Sequence, residues 1–237
     1  MYAIASHNDA TYQPLADTTW DKNKVPYCQQ HGYVYYNRTQ DFDTARPGMA
    51  MTQYEKIYVA LDMLEAVPDI SWLWWLGTDT MITNFSIKIE HRIDNDYDFM
   101  ICVDNNGLNA CSFLVKNSQA GKNILKAVIA DQPNGLRHWD QEQWSISNML
   151  GFPGTSDPRW PRGEHIQVTT AYRSQVKLLP QRYMNSFDYS LYHYNSDCDR
   201  LGNSGQWQSG DWLVHWPGTD LATRLRMASK YLDLVVQ

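Results

Sequence analysis

Asp79 follows the run Trp72-Leu73-Trp74-Trp75-Leu76, with only Gly77 and Thr78 between. Five large apolar residues in succession predict a short strand covered on both faces, as in the middle of an α/β sheet. A carboxylate just past the carboxyl end of such a strand lies where open α/β sheets bind ligands. Its oxygens suit the hard cations that hold phosphates. His215 closes a second apolar run, Trp212-Leu213-Val214, ahead of Trp216-Pro217-Gly218, a position open to a metal ligand. Asp140 and Gln141 belong to a polar cluster, His138 to Gln143, that opens a predicted helix. The turn Asp104-Asn105-Asn106-Gly107-Leu108-Asn109 offers amides and a carboxylate that could grip hydroxyl groups. Each feature also has a plainer reading: a polar turn at Asp79, a structural imidazole at His215, an N-cap at Asp140 and an Asn-Gly turn at Asn106.

The elements that must position these residues can be read from periodicity. Strands are predicted at Tyr2 to Ala5, Tyr33 to Tyr36, Trp72 to Leu76, Phe99 to Val103, Ser112 to Val115, Ile166 to Val168, Val176 to Leu179 and Trp212 to His215. Helices are predicted over Thr18 to His31, around the stripe Ile57, Ala60, Leu61 and Leu64, over Gln119 to Ala130 and Gln141 to Leu150, and around Leu221, Leu225, Ala228 and Leu232. Pro26 should kink the first helix or mark its start. Gly151 to Gly163, rich in Pro and Gly, is predicted to be a loop. Alternating strands and helices in the first half predict a mainly parallel central sheet flanked by helices. With no linker or internal repeat, residues 1–237 are read as one domain.

Bulk composition narrows the function. Asp+Glu exceed Lys+Arg by 26 to 20, for a net charge of −6, and there is no basic run, so a nucleic-acid partner is disfavoured. No apolar stretch reaches the roughly 18 residues of a membrane helix, and the first residues lack a signal-peptide pattern. The expected location is therefore cytoplasmic or open, for an enzyme that is intracellular or separated from its anchor. The four cysteines form no CxxC pair, which argues against a zinc knuckle. Cys102 and Cys111 lie in apolar runs and are expected to act as small buried hydrophobes. Asp94, Asp96 and Asp98 imitate a calcium loop, but Phe99 stands where an EF-hand needs Gly. Ten Trp and fifteen Tyr suit either a core or a sugar-binding surface.

In order, these segments resemble family 34 of the glycosyltransferases, the retaining α-galactosyl, α-mannosyl and α-xylosyl transferases of the GT-A fold. Asn23-Lys24, Tyr27-Cys28 and His31-Gly32-Tyr33 are similar to its NK..YC..HGY helix. Lys56 lies in a segment like its W.K helix, with Tyr54 for the Trp. The Trp-rich strand resembles W-x-W-W-x-D-x-D, Asn106 to Phe113 resembles NGLNAGSF, and Trp139-Asp140-Gln141 resembles its W-E/D-Q helix start. Arg182 to Phe187 and Gly210 to His215 are similar to R-x-(M/I)-N-S-(Y/F) and GDFLVHF. The chain departs from the family at two places. Gly77 stands at the first Asp of the DxD, and Cys111 replaces a Gly of NGLNAGSF, next to where the resemblance implies the donor sugar would lie.

The resemblance implies a GT-A-like α/β domain, with nucleotide-sugar binding in the amino-terminal half and the acceptor side in the carboxyl-terminal half. It implies transfer of a hexose or pentose, with retention, from a UDP- or GDP-linked donor to a glycan or glycoprotein hydroxyl. Asp79 and His215 would hold a metal, Mn²⁺ or Mg²⁺, and one carboxylate, one imidazole and phosphate oxygens suit Mn²⁺. Ser6, Lys56, Gly77, Thr78, Asp79, Asn106 and Asn109 would contact the donor. Asp140 and Gln141 would sit near the anomeric carbon. With Gly77 in the DxD, a nucleotide-sugar or glycan-binding protein of impaired activity is the alternative. A two-carboxylate glycoside hydrolase needing neither nucleotide nor metal is a third reading.

Overall fold

A computed structural model describes residues 1–39, 53–150, 171–192, 199 and 201–237. The predicted loop at Gly151 to Gly163 and the predicted strand at Ile166 to Val168 lie outside them. The main sheet has six strands: β1 (Tyr2–His7), β2 (Val34–Arg38), β3 (Trp72–Leu76), β5 (Phe99–Asp104), β6 (Gly107–Lys116) and β7 (Val176–Pro180). Their order is β2-β1-β3-β6-β5-β7. β6 runs antiparallel to both its neighbours, and the other pairs are parallel. A smaller sheet joins β4 (Thr80–Ile82), β9 (Leu213–His215) and β8 (Ser186–Phe187) in the order β4-β9-β8.

All five residues of β3 are buried, and alternation sends them to two cores. Leu73 and Trp75 pack with α3 (Glu55–Ala66), α4 (Gln119–Ala130) and the end of α6 (Gln141–Met149). Trp72, Trp74 and Leu76 pack on the other face with Trp20, Tyr27, Cys28 and Trp212. There Trp74 stacks on Trp212 with ring centroids 3.9 Å apart, and its indole N–H donates to Ser112 Oγ at 3.0 Å. A short helix α5 (Gln132–Gly135) precedes α6, and α7 (Leu221–Leu232) closes the chain against Met81, Val214 and Trp216.

The structure differs from the periodicity in three ways. The helix predicted over Thr18 to His31 is α1 (Gln13–Thr19), a π-helical turn (Trp20–Lys24) and α2 (Val25–His31). Pro26 lacks the N–H that a continuous α-helix would direct at residue 22, so the chain widens before it and restarts with Pro26 in the first turn of α2. Strands β4 and β8, only three and two residues long, were too short to show a period. The polar turn at Asp104 is tighter than expected: Asn105 and Asn106 alone turn the chain, Gly107 (φ 124°) starts β6, and Asn109 to Cys111 are strand. Register shifts between Ile101 and Cys102, whose partners are Phe113 and Asn109, so β6 bulges across residues 110–112.

Candidate active site at the end of β3

The small sheet brings the two best candidates together. Thr80 is the register partner of His215, and Trp216 N donates to Asp79 O at 3.1 Å. Asp79, just before β4, therefore meets the last residue of β9, with Oδ1 3.5 Å from His215 Nε2. Asp79 Oδ2 is 3.1 Å from Arg224 Nη2 on α7. Arg224 also donates from Nη1 to Tyr12 Oη at 3.1 Å. A cavity of about 390 Å³ opens here, lined among others by Lys56, Trp75, Gly77, Asp79, Cys111 and Arg224.

His215 is fully buried, and Nδ1 lies 2.8 Å from Asn185 Oδ1. An amide oxygen there makes Nδ1 a donor and turns Nε2 towards Asp79. Nε2 has no hydrogen-bond partner. Burial alone would lower the pKa of His215, but Cys111 and Asp79 outweigh it and raise it to about 9. Burial likewise pushes Asp79 up, yet His215 and Arg224 hold its carboxyl well below the usual range. A buried imidazole nitrogen without a partner, beside an ionised carboxylate, fits a divalent cation.

Two of the motifs support this pair. Asn23 bonds the backbone of Ile82 in both directions, donating to its O and accepting from its N at 2.8 Å each. Lys24 donates to Thr80 O at 2.7 Å, Tyr27 to Ile87 O at 2.7 Å, and His31 Nε2 lies 2.7 Å from Phe85 O. The NK..YC..HGY segment therefore fixes the chain that leaves Asp79. Arg182 grips Asp211 through Nε (3.1 Å) and Nη2 (2.7 Å), and Ser186 donates to the same carboxylate at 2.9 Å. That clamp joins the segment carrying Asn185 to the one carrying His215.

The other predicted residues divide. Lys56 lines the cavity and pairs with buried Glu142 at 2.6 Å. Burial opposes the charge on Lys56, but Glu142 outweighs it and keeps the amine protonated. Gly77 lines the same wall. Its φ is not positive, and a Cβ there would meet Asp79 Oδ1 at 2.9 Å. Ser6 and Thr78 brace the wall from behind, donating to Leu76 O (2.7 Å) and His7 O (2.5 Å). Asn109 is buried, donating to Asp104 Oδ2 at 2.8 Å and accepting from Cys111 N at 2.9 Å. Asn106 donates its backbone N–H to Asp104 Oδ1 at 2.6 Å. Burial leads the forces on Asp104 and raises its pKa to about 6. Neither Asn is among the residues lining the cavity with Asp79.

Asp140 occupies the N-cap position of α6, but its side chain caps nothing. Its carboxyl is half-buried, and burial raises its pKa. Gln141 has φ 41°, a left-handed conformation that costs a non-glycine residue of order 1 kcal/mol or more. It is held there by Gln53, a cavity-lining residue whose N–H donates to Gln141 Oε1 at 2.9 Å. Gln143 ties the same helix to β6 by accepting from Ala110 N at 3.0 Å. Trp139 beside them is 73% exposed.

Sequence reasoning missed Arg224 and Glu142, which stood next to apolar stripes and resembled solvent-facing charges. The apolar neighbourhood of Cys111 misplaced it, although the resemblance put it next to where the donor sugar would lie. Cys102 is buried as expected, whereas Cys111 is partly exposed on the cavity wall because the bulge in β6 turns it there.

The fold is of the GT-A type. A crystal structure of a glycosyltransferase involved in glycosylating the major capsid of PBCV-1 superposes with a TM-score of 0.68, covering 97% of this chain and 98% of that one at 16% identity. Residues 4–95 match the model of the galactosyl transferase GMA12/MNN10 family. Among the chain's relatives is an alpha-1,2-galactosyltransferase of Schizosaccharomyces pombe, 23% identical over 83% of this chain and 54% of its own length. Another is xyloglucan 6-xylosyltransferase 1 of Arabidopsis thaliana, 31% identical over 48% of this chain and 26% of its own length. The chain thus spans about half of the first relative and about a quarter of the second. Among the described residues, no helix is long and apolar enough to cross a membrane.

Proposed function

We propose that this domain transfers a hexose or pentose from a UDP- or GDP-linked sugar to a hydroxyl of a glycan or glycoprotein, with retention of α configuration, and that a divalent cation is required. The observation that carries the proposal is the approach of Asp79 Oδ1, on the wall of the cavity at the end of β3, to the unpartnered Nε2 of buried His215. Asp79 and His215 would hold the cation, which when bound supplies positive charge for the diphosphate leaving group. Lys56 and Arg224 add two fixed cationic groups on the walls of the same cavity. They favour the diphosphate as it gains negative charge on breaking of the glycosidic bond. Gly77 leaves backbone, not side chain, against the bound donor.

Asp140 and Gln141 stand at the amino-terminal end of α6. The Asp140 carboxylate is left uncommitted by the cap and is available to face positive charge developing at the anomeric carbon. Exposed Trp139 offers an aromatic face to an acceptor sugar. The chain is similar both to proteins named for galactose and to proteins named for xylose, so the donor sugar is set by finer contacts than those shared here. A panel of UDP- and GDP-linked sugars, assayed for release of free nucleotide with and without divalent metal, tests the reading. Metal-stimulated release from at least one donor is expected. Donor binding with no release would favour a binding protein, and glycan cleavage without nucleotide would favour a hydrolase.

A further inference from the structure

We propose that Cys111 is a third metal ligand, so that the centre is an Asp-His-Cys site selective for Zn²⁺-like ions rather than for Mn²⁺ or Mg²⁺. The inference builds on the metal reading of Asp79 and His215 given above. The ligating atoms of Asp79, Cys111 and His215 all lie within 4.8 Å of one another. Zinc–ligand bonds of about 2.0–2.3 Å put tetrahedral neighbours roughly 3.3–3.8 Å apart. The Asp79–His215 separation of 3.5 Å already falls there, and the thiol sulfur lies no more than 4.8 Å from either of the other two ligand atoms.

Three features of the chain direct the thiol to this place. The bulge in β6 lifts residues 110–112 out of the ladder with β5. Asn109 Oδ1 accepts from Cys111 N at 2.9 Å, and Gly77 N donates to Cys111 O at 2.8 Å, so the backbone on both sides of the cysteine is pinned. Gly77 carries no side chain, and a Cβ there would come within 3.6 Å of Cys111 Cβ and 2.9 Å of Asp79 Oδ1. The glycine therefore keeps open the space in which thiol and carboxylate converge. A buried imidazole nitrogen with no partner completes the set.

Donor chemistry decides the ion. Oxygen-only or oxygen-rich sites suit Mg²⁺ and Mn²⁺, whereas a thiolate with an imidazole favours Zn²⁺ and its spectroscopic substitute Co²⁺. Three protein ligands would leave a fourth position toward the cavity for an exogenous oxygen. Binding releases the thiol proton to solvent as the sulfur–metal bond forms, with no change of oxidation state.

Co²⁺ titration followed by absorption spectroscopy tests this on the full chain, alongside Cys111→Ser and Asp79→Ala. The wild type should bind Co²⁺ with a near-ultraviolet thiolate-to-metal charge-transfer band, and excess Zn²⁺ but not excess Mn²⁺ should abolish it. Cys111→Ser keeps Cys28, Cys102 and Cys198. It should lose the band and weaken Zn²⁺ by at least the roughly 10- to 100-fold that loss of a supporting partner costs a metal site, while Mn²⁺ binding changes little. Co²⁺ bound in an Asp79-dependent way without the band would overturn the role of Cys111 and leave the Asp79–His215 reading standing. If neither Co²⁺, Zn²⁺ nor Mn²⁺ binds in a manner sensitive to Asp79→Ala, both readings fall.

Discussion

Asn185 Oδ1 accepts from His215 Nδ1 at 2.8 Å, and this bond decides which edge of the imidazole looks at Asp79. Asn185 is itself fully buried, on the segment that leads into β8. Removing the amide frees the ring to rotate and to change tautomer. Asn185→Ala should weaken divalent-metal binding about 10- to 100-fold, as loss of an orienting partner commonly does. Calorimetric titration with metal measures this, and circular dichroism should show an unchanged fold.

Gly77 has ordinary backbone angles, so a side chain there is resisted by contact and not by φ. The contact is Asp79 Oδ1, the oxygen that faces His215. Gly77→Ala should therefore displace that oxygen and reduce metal affinity, with little change in melting temperature because the cavity can accept the methyl group. Gly77→Asp adds a carboxylate to the same crowded wall and should lower metal affinity unless the new oxygen becomes a ligand. Metal titrations of the two variants against wild type distinguish these outcomes.

Glu142 is buried and bonded to Lys56, whose side chain is 12% exposed. Truncating one partner of such a pair strands the other charge, at a cost of about 3–5 kcal/mol. Glu142→Ala should lose stability on that scale in urea denaturation. The double variant Lys56→Met/Glu142→Leu should recover most of it while losing activity, because the cavity has then lost a cation.

Lys24 is fully buried, and its amine faces only the carbonyls of Thr19 (3.2 Å) and Thr80 (2.7 Å). Burial, partly offset by Asp79 and Cys28, lowers its pKa to about 7. A neutral amine has two N–H groups, which match the two carbonyls. Between about pH 7 and the unperturbed value near 10.4 the unfolded chain holds a proton that the folded chain has released, so this residue makes stability rise with pH. The slope is at most about 1.4 kcal/mol per pH unit. Below pH 7 both states are protonated, the slope vanishes, and the burial penalty is felt in full. Urea denaturation at pH 7 and pH 9 should show the rise in wild type and a smaller one in Lys24→Met.

The strands and their carboxyl-terminal residues were legible because burial on two faces leaves an unbroken apolar run. That is why Asp79 and His215 stood out. Their meeting was not legible, since it depends on the register of Thr80 with His215 in a sheet of three very short strands. Arg224 was hidden for a different reason. The stripe Leu221, Leu225 and Ala228 marks the packed side of α7, and nothing local says that the neighbouring Arg reaches a carboxylate. Cys111 was misjudged because an apolar neighbourhood predicts burial, while a bulge, which has no period, sets its direction. The NK..YC..HGY segment was recognised as a pattern. Its physical work, bonding the backbone between Thr80 and Ile87, appears only in three dimensions.

Asp79 and His215 are proposed to hold a cation on which transfer depends. Release of nucleotide from the preferred donor should be measured for wild type, Asp79→Ala and His215→Ala, each after chelation and after metal is restored. Wild type should lose activity on chelation and regain it with metal. Both variants should stay folded and remain lower by orders of magnitude in either condition. Turnover that survives chelation in wild type, or metal-stimulated turnover near the wild-type rate in either variant, would contradict the claim.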